Sequence, residues 1–297
     1  MKKTLEPGSS FRYCGRAFSR EEITWIRDLI ATESRRNRAQ LSRLVSKELG
    51  WLRPDGRPKD MACRVAMLRM QRDGLITLPP PQKGNGNGRT RPRLTPASEP
   101  REPITSSAGS LGKLFFPPVE TPEDSSLWNE LIERYHYLGY KPLPGAQIRY
   151  LVYGQGQLLS ALGFGAASWK VGPRDQFVGW SAKQRAKNLH LVVNNARFLI
   201  LPWVTSKNLA SRILGEVARR LPLDWKRRYG YRPMLLETFV EKDRFRGTSY
   251  LAANWISVGF TQGRGKLDRE HRHALPVKEI LLYPLCRDFR CELGAPG

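Results

Sequence analysis

Five side chains between positions 136 and 250 have the types that proton chemistry needs. His136 stands between Tyr135 and Tyr137, and histidine titrates nearest neutral pH. Glu237 and Glu241 lie in or just after an apolar run, where a carboxylate acts as general base or metal ligand. Tyr250, in the run GTSY, offers an acidic or orienting hydroxyl. Each has a plainer reading: a hydrogen-bonded helix-end histidine, carboxylates paired with Arg244 or Arg246, and a tyrosine packed on Trp255. His136, Tyr137, Glu241 and Tyr250 are the catalytic candidates. One histidine, two phenols and one carboxylate are also an unusual donor set for iron. His190, His271 and His273 read as surface residues of basic loops.

A second group could hold an anion. Thr205, Lys207, Asn208 and Ala210 lead into an apolar helical stretch, and Ser211 and Arg212 follow. Backbone amides at a helix start cradle phosphate. Arg212 could grip a phosphate or carboxylate with two hydrogen bonds, or be a solvated helix arginine.

The third group is cationic. The 297 residues carry 50 Lys plus Arg against 27 Asp plus Glu, a net charge of +23, which points to a polyanionic partner. Arg57, Lys59, Arg64, Arg69 and Arg72 mark one polar helix face. Arg264, Lys266 and Arg269 lie in a glycine-hinged loop suited to phosphate contact, and Arg185, Lys187 and Arg272 extend that region. Trp169 and Trp180 stand among Lys183, Arg185 and Lys187; they read as stacking platforms for unpaired bases or as core. No apolar run approaches the roughly 20 residues of a spanning helix, and no apolar stretch follows Met1-Lys-Lys, so neither a membrane partner nor a secretory leader is expected. Cys14, Cys63, Cys286 and Cys291 form no C-x-x-C pair, so reduced thiols in a cytoplasmic protein are expected and a zinc ribbon is not.

The elements that must position these groups fall into two domains. Residues 1–78 read as three helices and a short strand. Ser19 with Glu22 makes a capping box ahead of Ile23, Ile26, Leu29 and Ile30. Asn37 with Gln40 repeats it ahead of Leu41, Leu44, Val45 and Leu49. In the third helix Met61, Cys63, Val65 and Leu68 are expected to face inward, with Asp73-Gly74 as the stop. A strand over Leu75–Leu78 would complete a winged helix-turn-helix module, whose third helix reads DNA in the major groove. Residues 79–110, rich in Pro, Gly, Asn and Ser, predict a flexible linker spanning about 30 Å.

Residues 111–297 alternate differently. The order is a helix ending near HYLG (136–139), a hairpin (148–164), a strand (189–201), a helix (206–221), a strand (234–240), a helix (248–258) and a last strand (278–284). That is an α/β (α+β) domain with a central mixed sheet.

The order is similar to the GNAT acetyltransferase fold. YLVYGQGQLLSALGFG resembles its hairpin, FLILPWVTSKNLASRIL its fourth strand and phosphate-binding turn, and GTSYLAANWISVGF the segment before its last strand. The family turn reads Arg/Gln-x-x-Gly-x-Gly/Ala. Thr205, Asn208 and Ala210 stand at those positions, so two of three depart. HYLG, NLASRIL and RGTSYLAANWISVG resemble the phage Mom-like modifiers of DNA adenine, with Glu241 near their acidic position. Almost all of 125–290 resembles the DruA family, above all LLETFVEKDRFRGTSYLAANWISVGFTQGRGKLDR and KEILLYPLCRDFR. DruA proteins belong to the Druantia anti-phage defence systems and also travel with transposons.

The resemblance implies a DNA-binding role in anti-phage defence. Three readings stay open. A GNAT-like transferase would modify a nucleobase from an acyl-CoA-like donor over Thr205–Ala210, with His136 or Glu241 taking the proton. A non-catalytic domain would be a scaffold for DNA and for partners such as a helicase. An accessory DNA-binding protein would serve a transposon.

Overall fold

The computed structural model describes residues 11–82, 91–263 and 275–294. Arg264, Lys266 and Arg269, expected to contact phosphate, and Arg89, Arg272, His271 and His273 lie outside the described residues. The chain divides into two compact units, 1–89 and 90–297.

In the first unit a small hairpin, β1 (Phe11–Tyr13) with β2 (Arg16–Phe18), precedes three helices, α1 (Arg20–Thr32), α2 (Arg38–Glu48) and α3 (Asp60–Arg72). Both expected capping boxes form. Ser19 Oγ accepts from Glu22 N–H at 3.2 Å while the Glu22 carboxylate accepts from Ser19 N–H at 3.1 Å, and Asn37 and Gln40 do the same. These contacts satisfy amides that a helix start otherwise leaves bare. The α3 stripe corrects the expected one. Cys63, Ala66, Met67 and Met70, at helical i, i+3, i+4, i+7 spacing, are buried, whereas Met61 is 55% and Val65 38% exposed. Four small or sulfur-bearing residues thus make the inner face, the expected Cys63 among them, and Met61 and Val65 share the outer face with Arg72. Gly74 ends α3 with φ +79°, a turn that favours glycine. The expected strand at Leu75–Leu78 does not form. Its amides bond back to the helix, Leu75 N–H to Met70 O and Leu78 N–H to the Gln71 carboxamide at 3.0 Å, while Leu75, Ile76 and Leu78 are buried.

The second unit holds a seven-stranded mixed sheet in the order β3-β4-β5-β6-β7-β9-β8. Its strands are β3 (Leu114–Phe115), β4 (Ile148–Gly154), β5 (Gln157–Ala166), β6 (Val192–Ile200), β7 (Leu235–Glu241), β8 (Ile256–Phe260) and β9 (Lys278–Pro284). The helices are α4 (Pro122–Tyr135), α5 (Gly172–Val178), α6 (Ala182–Asn188), α7 (Leu209–Tyr229), α8 (Thr248–Leu251) and α9 (Phe289–Gly294). Within the named ladders every pair is antiparallel except β6 with β7. The α/β expectation therefore holds. The core includes the long apolar faces of α4 and α7 and the nearly all-buried strand β5. Trp128 of α4 donates its indole N–H to Leu162 O at 2.9 Å, over Gly163. A Cβ at Gly163 would meet the Trp128 ring at 2.9 Å, so only glycine admits this close approach.

Two further expectations are corrected. The helix expected over 248–258 is one turn, ended at Asn254 with φ +62°, and β8 follows as the sheet edge. The linker expected over 79–110 is not free through 91–110. Thr95 donates from its amide and its hydroxyl to the buried Glu130 at 2.7 and 2.8 Å. Ile104 exchanges backbone bonds with Trp203 O and Thr205 N–H, both at 2.8 Å. Ile104, Ala108 and Leu111 are buried. Two apolar side chains of the segment, Ile104 and Ala108, suffice because the ordered domain, starting with Leu111, supplies the rest of the surface and the bonding partners.

Candidate functional site

β6 and β7 pair in parallel only from Val192–Asn194 to Leu235–Glu237. Beyond that point a cavity of about 420 Å³ lies between Asn195–Ile200 and Thr238–Val240. His136, Tyr137, Ala210 and Tyr250 all line it, so the structure brings three of four catalytic candidates together. Glu241 is not among its lining residues. It ends β7 with its carboxylate 3.5 Å from Arg244, close enough to Tyr137 to help raise the phenol's pKa.

His136 caps α4, where Gly139 turns the chain with φ +59°. A Cβ there would stand 3.1 Å from the Glu133 carboxylate, which already accepts Tyr140 N–H at 2.8 Å. The HYLG run is thus a turn that presents two rings side by side: His136 and Tyr137 stack with centroids 4.9 Å apart. The His136 Nδ1 accepts Leu138 N–H at 3.2 Å. Burial, and then Arg197 nearby, push its pKa down to about 4. The ring is therefore neutral near pH 7, with the remaining proton on Nε2. It is a hydrogen-bond donor at that atom and not a ready base.

Tyr250 donates its hydroxyl to Asn195 Oδ1 at 2.6 Å. Asn195 is fixed in turn by Nδ2 donating to Arg197 O at 3.1 Å and by its carbonyl accepting from Thr238 Oγ1 at 3.0 Å. Burial drives the Tyr250 pKa upward, and Trp255 packs edge-on at 5.0 Å. A phenol so held keeps its proton, which makes it a poor iron ligand. Among the described residues no three His, Cys, Asp or Glu side chains converge to hold a metal ion.

Arg197 was not anticipated, nor were Asn195 and Thr238. The arginine is only 8% exposed and is not among the residues that line the cavity. Nη1 donates to Ala196 O at 2.7 Å and the buried Nε has no partner. Polar residues inside the run VVNNARFLI, which otherwise reads as a buried strand, were the sequence signal.

The anion group at 205–212 is occupied by the chain itself. Thr205 N–H donates to Ile104 O. Arg212 holds Glu216 at 2.8 Å, Gly112 O at 2.6 Å and Ala108 O. Ser211 Oγ donates to Asn208 O at 3.0 Å, and Asn208, in the left-handed region, makes no side-chain cap. Thr205, Lys207 and Asn208 are exposed. Of the groups around this turn, the Thr205 amide, the Leu209 amide and the Arg212 fork are thus used by the chain.

Glu237 pairs with Arg174, not with Arg244 or Arg246. Both side chains are fully buried and 2.7 Å apart, and Asp175 and Arg185 extend the network. Trp180 is buried and donates to Asp175 at 3.0 Å, whereas Trp169 is 60% exposed with Arg185 5.9 Å from its ring centre.

In the first unit Arg57, Arg69 and Arg72 are exposed and Lys59 and Arg64 half-buried. None of the five pairs with a carboxylate within 4 Å among the described residues. Beside them the lining of a groove of about 450 Å³ includes Arg36, Arg43, Lys47, Arg53 and Arg57 together with Asp60, whose carboxylate lies 3.7 Å from Arg43 and 3.4 Å from Arg53.

Residues 69–273 match the model of a family described as Druantia protein DruA. The chain belongs to the DruA family. No curated protein sequence matches it. Solved structures similar to this DruA-family chain include an N-acetyltransferase from Staphylococcus aureus, with 12% identity over 59% of this chain and 99% of that one and a TM-score of 0.34. A polyamine N-acetyltransferase from Drosophila melanogaster is similar at 12% identity over 58% and 100%, TM-score 0.37. A GNAT-family acetyltransferase from Streptococcus pneumoniae is similar at 11% over 58% and 99%, TM-score 0.37.

Proposed function

We propose that this DruA-family protein serves anti-phage defence by binding DNA through its first unit, and that the cavity between β6 and β7 receives a nucleobase. The observation that carries the reading is the convergence of His136, Tyr137 and Tyr250 on one cavity. Its size, about 420 Å³, falls in the range of small-ligand sites, roughly 300–1,000 Å³. Aromatic lining supports an unstacked base, worth about 1–3 kcal/mol per base, and enzymes acting on bases draw them out of the duplex. In that role His136 Nε2–H donates to an acceptor on the base edge, and Tyr137 and Phe245, with ring centres 5.2 Å apart, provide the stacking surface.

The cations of α3 and the groove at Arg43, Lys47 and Arg53 would supply phosphate contacts. If about five phosphates are neutralised, raising salt from about 50 to 200 mM weakens duplex binding several hundred-fold. Exchange of Arg69 and Arg72 for Glu lowers the affinity and flattens the slope. A salt-independent affinity contradicts the DNA reading.

A second reading, a non-catalytic scaffold for defence partners, is favoured by two specific observations. At the turn ahead of α7 the Thr205 amide and the Arg212 fork are bonded to residues 104–112, and the neutral His136 has its one acceptor nitrogen engaged. Mass spectrometry of nucleosides from cells expressing the protein separates the two: a modified base supports chemistry in the cavity, and unmodified DNA supports recognition alone.

A further inference from the structure

The outer side of α3 is built differently from those of the two helices before it. Of the three helices in the first unit, α3 alone exposes large apolar side chains, Met61 at 55% and Val65 at 38%. They stand one turn apart and so form one apolar spot. At 3.6 residues per turn, Met61, Val65 and Arg72 fall within about 40° of one another around the helix, with Arg64 to one side and Arg69 to the other. None of these arginines has a carboxylate within 4 Å among the described residues. The one acid of the helix, Asp60, lies instead by Arg43 and Arg53, at 3.7 and 3.4 Å. Arg64 also keeps a buried Nε without a hydrogen-bond partner. The outer side of α3 is therefore an apolar spot bordered by uncommitted positive charge.

That combination is complementary to the major groove of duplex DNA. The groove is about 12 Å wide and admits a helix. Phosphates line both of its walls, and on its floor each thymine presents a C5 methyl group, which apolar side chains recognise by contact. We propose that α3 reads thymine, with Met61 and Val65 packed on C5 methyl groups while Arg64, Arg69 and Arg72 hold the flanking phosphates. The inference rests on the reading that the first unit binds DNA, and it goes beyond phosphate contact to a sequence preference carried by two uncharged side chains.

The full-length protein is used to select duplexes from a random-sequence pool. The enriched sequences are then made in two forms, one with thymine and one with deoxyuridine, which lacks only the methyl group. The expected result is that the thymine form binds about fourfold more tightly for one methyl group covered and about fifteenfold for two. The double variant Met61→Ala, Val65→Ala binds the two forms alike, and Met61→Leu, which keeps the apolar bulk, retains most of the preference. Enrichment of no sequence, equal affinity of the wild-type protein for the two forms, or a thymine preference that survives in the double variant overturns the proposal. The first two of these outcomes need only the wild-type protein, so they decide even if the variants do not fold. Equal affinity that still falls steeply with salt leaves the DNA reading standing and assigns the apolar spot to a protein partner. Binding to neither form removes the DNA reading together with the proposal.

Discussion

The cavity between β6 and β7 and the turn ahead of α7 sit on the same strand-to-helix crossover, and both hold residues suited to bind a ligand. They differ in what those residues are already doing. At the turn, Thr205 N–H and the Arg212 fork bond to residues 104–112 of the chain itself. In the cavity, Asn195, Thr238 and Tyr250 hold one another, while His136 Nε2 is left with capacity. Residue type alone does not make a binding site; unspent donors and acceptors do. The buried network at Arg174, Glu237 and Asp175 is the extreme of the spent kind.

The sharpest way to break that contrast is to unbalance the spent network. Glu237→Ala leaves Arg174 buried without its 2.7 Å partner, and removing one member of such a pair costs about 3–5 kcal/mol. Urea denaturation should show a loss of that size, or no folded protein. A loss below about 1 kcal/mol, the worth of an exposed pair, would mean that Arg174 is as uncommitted as Arg197.

A smaller effect is expected from pH. His136 has a folded pKa pushed down to about 4 from 6.5. The unfolded chain therefore binds the proton first as pH falls, and stability declines between about pH 6.5 and 4. At pH 5 this group's share of the loss is about 2 kcal/mol, at about 1.4 kcal/mol per unit. His136→Gln should lose that much less than wild type between pH 8 and pH 5. Parallel losses in the two proteins would place His136 in open solvent.

Arg212→Ala is expected to have the smallest effect, about 1–2 kcal/mol, from two or three hydrogen bonds to carbonyls and a half-exposed ion pair. It should also speed proteolysis within residues 104–112. A cofactor-binding arginine would behave oppositely, with stability unchanged and acyl-CoA affinity reduced.

How much of this was legible in the sequence follows the same physics. Caps at Ser19 and Asn37 are local and were readable, because the bond closes within three residues. The order of strands and long helices was readable because apolar periodicity reports burial directly. The inner face of α3 was misread at Met61 and Val65 because the helix carries apolar residues on more than one face; Cys63 does face inward as expected, and the packing of the whole unit set Ala66, Met67 and Met70 beside it. The 91–110 segment looked unable to order because composition counts only its own apolar residues and not the groove that receives Ile104 and Ala108. His136, Tyr137 and Tyr250 were found by type. Arg197 was missed because a strand arginine normally meets solvent or a carboxylate, and only the fold reveals that it meets neither.

The most direct test of the account is phage protection by cells carrying His136→Ala or Tyr250→Phe, with melting temperature and duplex affinity of the purified variants measured alongside. The account predicts near-wild-type duplex affinity, because the α3 cations are untouched, a melting temperature still well above the assay temperature, and loss of protection in both. Full protection by both folded variants would contradict the claim that this cavity is the functional site.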